Sequence, residues 1–133
     1  MQINTLPEAI QREREVLLRR ALEYLSSRGY TEFQVRDLAD FQDPPNLIIP
    51  VLNAPMQPDI IARQGEAQRL AAVVEVSTDL GEESCGRRWQ AFLAWAVAQN
   101  SEFVVFVHQD EMERAKAIAG HWHVDVTRLI PLT

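Results

Sequence analysis

Apolar residues recur every three to four positions at the start of the chain. Ile10, Leu17, Leu18, Ala21 and Leu25 fall on one face of a helix. Thr5-Leu6-Pro7-Glu8 reads as a capping box with proline in the first turn, and Gly29 as the stop, so the predicted helix spans 5–27. Arg14 interrupts the stripe and is read as an arginine that snorkels near a helix end. The period then shortens. Tyr30 to Val35 alternates as a strand. Asp43-Pro44-Pro45 marks a loop, and residues 47–52, apolar but broken by Pro50, make at best an edge strand. Residues 58–62 and 70–77 read as two strands around a turn at 63–68. The second is apolar on both faces, which predicts a central position in a sheet. Cys85, Trp89, Phe92, Leu93 and Ala96 stripe a helix over 82–98. Phe103 to Val107 is a buried strand. Asp110 caps a further helix that Gly120 closes, and Trp122 to Leu129 reads as the last strand.

These elements give the order α-β-β-β-α-β with a C-terminal α-β. The strand–helix–strand crossovers make the last strands parallel, so the expected fold is α/β (α+β), a mixed sheet flanked by helices. The 133 residues fit a single domain, 1–133. With 47% hydrophobic and 24% charged residues the composition is that of an ordinary folded domain. No apolar run approaches the length of a membrane span, and no signal peptide is visible; the expected location is the cytoplasm, without membrane contact. A net charge of −6 argues against gripping nucleic acid by bulk charge, though a local basic patch stays open. The basic residues are twelve arginines and one lysine, Lys116.

The chemistry concentrates on two carboxylates. If the hairpin turn centres on Ala67, Asp59 and Glu75 face each other across an antiparallel pair, on one face of the sheet. Two carboxylates this close repel unless a proton or cation lies between them. Mg²⁺ or Mn²⁺ suits an all-oxygen site, to which the carbonyl of Val76 can add a third oxygen. The competing reading pairs Glu75 with an arginine such as Arg14 or Arg69. Burying the carboxylate without a partner would cost several kcal/mol, which favours a special role. Ser77 lies on the same face.

Pro58-Asp59, fifteen residues, then Glu75-Val76-Ser77 resembles the signature of the PD-(D/E)xK nuclease superfamily, the restriction-endonuclease-like fold. The order of elements over residues 5–108 is similar to it. The resemblance implies that Asp59 and Glu75 bind one or two Mg²⁺ ions and act on a DNA phosphodiester. The family's lysine, two residues after the Glu, is here Ser77. Some branches carry the basic residue on the next helix, and one reads Glu-Val-x-Ser, which Glu75-Val76-Ser77-Thr78 approaches with one residue fewer. The matching helix positions are Arg87, Arg88 and Gln90. Arg88 and Gln90 flank the buried stripe, and Arg88 is the candidate phosphate clamp. A solvated helix edge is its plain alternative.

Three readings stay open: a metal-dependent nuclease, a member of the same fold that has lost turnover and works in assembly, and an unrelated small α/β protein. A homodimer is expected from the far side of the 82–98 helix. There Ala91, Ala94 and Ala98 surround Trp95 without charge, although another part of the chain covering that side would serve as well. His121 and His123 at i, i+2 are read as edge-strand residues rather than ligands, His108 as structural and Cys85 as a small core residue. Asp37, Asp40 and Asp43 read as a loop and cap set.

Overall fold

The computed structural model describes residues 8–66, 68–76 and 80–133. Thr5, Leu6 and Pro7 of the expected capping box, Ala67 and Ser77 lie outside them. The element order is α1 (Glu8–Ser27), β1 (Thr31–Val35), β2 (Leu47–Ile49), β3 (Ala54–Met56), β4 (Ile60–Gln64), β5 (Gln68–Glu75), α2 (Glu82–Ala98), β6 (Glu102–His108), α3 (Met112–His121) and β7 (Leu129–Leu132).

Five strands form one mixed sheet in the order β1-β4-β5-β6-β7. β5 is the middle strand, as its two apolar faces require. It pairs antiparallel with β4 and parallel with β6, and β7 adds parallel to β6. Alternation along the strands divides the core in two. Even positions of β5, Leu70, Ala72 and Val74, face α1 together with Phe106 and Leu132. Odd positions, Ala71 and Val73, face α2 and α3 together with Phe103, Val105 and Val107. The result is an α+β fold with three layers: α1, the sheet, then α2 and α3. No helix among the described residues is long and apolar enough to cross a membrane.

The sheet strands and helices follow the expected α-β-β-β-α-β order with the added α-β. Between the first two sheet strands the chain inserts a small antiparallel hairpin, β2 with β3, where one broken edge strand was expected. Its inner residues Leu47 and Ile49 are buried against α2. The hairpin tip holds Val51 at φ 70° and Asn53 at φ 53°.

Four expectations are corrected. The β4–β5 register pairs Ile60 with Ala72 and Gln64 with Gln68, so the turn centres on Glu66, not Ala67. Gly65 takes the left-handed position, φ 69°, that closes the tight turn. Asp59 therefore falls opposite Val73 instead of Glu75. The shift is two residues, so both carboxylates keep the same face. Second, Trp95 is only 3% exposed and Ala91 9%. Both belong to the core beside the β2–β3 hairpin, with the Arg69 guanidinium 5.3 Å from the Trp95 ring centre. The exposed aromatic anchor of the expected homodimer face is thus covered by the chain itself. Third, α3 runs on through Gly120, and residues 126–128 form a 3-10 turn capped by Asp125, which accepts from the Thr127 N–H at 2.9 Å. The last strand begins only at Leu129. His121 ends a helix and His123 sits at φ 59°, so they share no strand face. Fourth, the helical segment after β6 is capped by His108, whose Nδ1 accepts from the Asp110 N–H at 3.1 Å, and not by the Asp110 side chain.

The α2–α3 contact depends on one glycine. A Cβ on Gly86 would lie 2.2 Å from Cδ1 of Trp122. Gly86→Ala must push the indole off the helix, and is expected to cost about 1–3 kcal/mol, as overpacking does. Urea unfolding of the two proteins checks it; equal midpoints would mean the ring moves freely.

Candidate active site

The structure gathers three of the expected site residues, Asp59, Glu75 and Arg88, around one cavity of about 330 Å³ at the end of β5. Gln57 and Ser84 line it, and so do Arg14, weighed in the sequence as a partner of Glu75, and two residues the sequence did not connect to it, Arg36 and Asp37.

Glu75 is the last residue of β5 and is 2% exposed. Its Oε2 accepts from the Arg88 guanidinium and from the Trp89 indole Nε1 at 2.8 Å. Adjacent residues of α2 therefore hold one oxygen, while neither of these bonds uses Oε1. A buried indole N–H needs an acceptor, and Glu75 supplies it. Burial alone would disfavour the Arg88 charge, but Glu75 more than offsets it and holds the guanidinium above its usual pKa.

Asp59 precedes β4 and is 8% exposed. Its Oδ2 accepts from the Val74 N–H at 2.8 Å, and its own N–H donates to the Ala72 carbonyl at 3.0 Å. The carboxylate thus completes the β5 ladder where β4 has ended. Its Oδ1 accepts from Arg14 at 2.7 Å, with Arg36 at 3.9 Å. Arg14, expected to snorkel, instead runs from the apolar stripe of α1 into the cavity. It also bonds Asp37 at 3.2 Å and the Val74 carbonyl at 3.3 Å. Burial works against its charge, and Asp59 and then Asp37 hold its pKa above the usual value regardless.

Each carboxylate therefore carries an arginine, Glu75 from one helical layer and Asp59 from the other. The arginine pairing weighed in the sequence holds for Glu75, with Arg88 as the partner in place of Arg14 or Arg69. A one-dimensional reading offers a single clue to Arg14, a charge inside an apolar stripe. Nothing local marks Arg36, which follows β1.

The remaining candidates lie elsewhere. Gln90 donates from Nε2 to the Trp122 carbonyl at 2.6 Å and lines a groove beneath the β2–β3 hairpin. It is not brought to the carboxylates. Val76 has its side chain buried on the α1 face and does not line the cavity. Cys85 is a buried thiol, pushed up in pKa by burial and then by the Glu75 charge. Lys116 lies on α3 beside Glu113, 3.9 Å away, so no lysine lines the cavity.

The donor set bears on a cation. Among the described residues no group of three or more His, Cys, Asp and Glu gathers as metal ligands. The cavity is lined by three carboxylates, of which Asp59 and Glu75 come from the adjacent strand ends and Asp37 from beyond β1. Two oxygen donors with room for water fit Mg²⁺ or Mn²⁺, which is commonly held by one or two carboxylates plus a substrate phosphate. The residues present fit such an ion once the arginines yield. The chain matches no family model, no curated protein and no solved structure.

Proposed function

We propose that this chain is a restriction-endonuclease-like protein that uses Mg²⁺ or Mn²⁺, held by Asp59 and Glu75, to act on DNA phosphodiester bonds. One observation carries the reading. Two carboxylates, 8% and 2% exposed, meet at one cavity from adjacent strands, with a guanidinium on each. The Pro58-Asp59 to Glu75-Val76-Ser77 spacing and the order of elements support it. When bound, the cation supplies Lewis-acid polarisation of the phosphoryl group and a nucleophile at neutral pH. Asp59 and Glu75 would hold it. Arg88 binds a phosphate oxygen and neutralises the charge that develops there; being always protonated, it does not act as a base.

A second reading keeps the fold and drops the chemistry: a member that has lost turnover and works in assembly. The arginine already seated on each carboxylate and the absence of a lysine from the cavity favour it. Incubation with single-stranded, duplex and branched DNA separates the two. The nuclease reading expects products with Mg²⁺ or Mn²⁺ that disappear in EDTA. No metal-dependent product from any of the three substrates would leave the assembly reading in its place.

A further inference from the structure

Arg14 occupies an expensive position. It replaces an apolar residue in the α1 stripe, its side chain is 14% exposed, and all its bonds go into the cavity. Nη2 reaches Asp59, Nε reaches Asp37, and Nη1 reaches the Val74 carbonyl. The last contact is to a backbone atom of the central strand. It holds the guanidinium at the cavity while Nη2 and Nε remain exchangeable. Arg88 is placed likewise on Glu75, with Cys85 Sγ 3.8 Å from its Nη2.

Formal charge then constrains what enters. Among the described residues the cavity is lined by three guanidiniums and three carboxylates, a neutral set. A divalent cation leaves it with an excess of two positive charges. A phosphodiester and one hydroxide equivalent return it to neutrality. A cation arriving alone competes with the resident guanidiniums for the carboxylate oxygens, and a guanidinium released from one loses its anion. A phosphate diester matches the guanidinium fork.

Resting on the nuclease-like reading, we propose that Arg14 is a second phosphate ligand, stored on Asp59 as a counter-ion. Asp59 would be freed to hold the cation as Arg14 turns to the DNA phosphate, so that cation and DNA would bind as a linked pair. Linkage makes the coupling reciprocal: DNA tightens the cation as the cation tightens DNA.

The test combines calorimetric titration of Mn²⁺ with fluorescence anisotropy of a labelled oligonucleotide in Ca²⁺ or EDTA. The proteins are wild type, Arg14→Gln and Arg14→Lys. Arg14→Gln removes the competing charge, so Mn²⁺ should bind about tenfold more tightly, the size of one charged hydrogen bond. The gain in DNA affinity brought by Ca²⁺ should fall about tenfold. Arg14→Lys keeps the charge and loses the fork, so Mn²⁺ affinity should stay within about twofold while the DNA gain still falls. This second variant carries the test if Arg14→Gln does not fold. Equal or weaker Mn²⁺ binding by folded Arg14→Gln, or an undiminished DNA gain in Arg14→Lys, overturns the exchange and makes Arg14 a support for Asp59 alone. Mn²⁺ heat absent from wild type and both variants removes the metal reading and the exchange together.

Discussion

Replacing Glu75 by alanine is expected to lower the unfolding free energy by about 3 kcal/mol, the cost of breaking a buried, hydrogen-bonded pair. Glu75 is 2% exposed and accepts from two donors on one oxygen. Its loss strands both. The Arg88 side chain, 36% exposed, can turn to water. The Trp89 indole N–H, on a residue with no exposed surface, has no such escape. Glu75→Gln keeps an acceptor for the indole and is expected to cost about half as much. Glu75→Gln combined with Arg88→Met removes both charges but keeps an acceptor for the indole, and should return to within about 1 kcal/mol of wild type. Urea denaturation measures all three. A Glu75→Ala protein as stable as wild type would show that the pair holds nothing together. The double variant has the wider meaning. If an uncharged pair does as well, the charge on the carboxylate is not there for stability.

Isosteric removal of either charge should abolish cleavage. Asp59→Asn and Glu75→Gln keep shape and volume but weaken the oxygen ligands of a divalent cation, and several kcal/mol of transition-state stabilisation go with it. Cleavage is expected to fall by about 10³-fold or more. Arg88→Ala removes one charge beside the phosphate and should cost less, about 10²-fold, by analogy with a lost oxyanion donor. Single-turnover cleavage in Mn²⁺ provides the comparison. Asp59→Asn cutting as fast as wild type would assign any activity to another part of the chain.

The parts of the fold that lay open in the sequence are those set by local periodicity. The α2 stripe of Cys85, Trp89, Phe92 and Ala96 fixes a helix over 82–98, and both of its ends stand where the pattern ends. Residues 70–74 are apolar without a break, and β5 is the central strand. What escaped depends on contacts distant in sequence. Arg14 and Asp59 are 45 positions apart, and a charge in a helix stripe looks the same whether it snorkels to water or crosses to a buried carboxylate. Trp95 looked exposed because the segment that covers α2 contains Pro50 and Pro55, which weaken any strand pattern. The hairpin register differs by two from the expected one because the turn centres on Glu66, with Gly65 in a left-handed position. That error kept the face, which is why the Asp59–Glu75 pairing survives as a shared cavity without direct opposition. Trp122-His123-Val124 alternates like a strand, yet helix α3 extends to His121 and the Asp125 cap turns the chain before β7.

The central claim is that Asp59 and Glu75 jointly hold one divalent cation, and calorimetric titration of Mn²⁺ tests it most directly. The account predicts saturable binding of a cation to wild type, lost in both Asp59→Asn and Glu75→Gln while each variant stays folded by circular dichroism. No binding to wild type, or binding that survives in both variants, would contradict it.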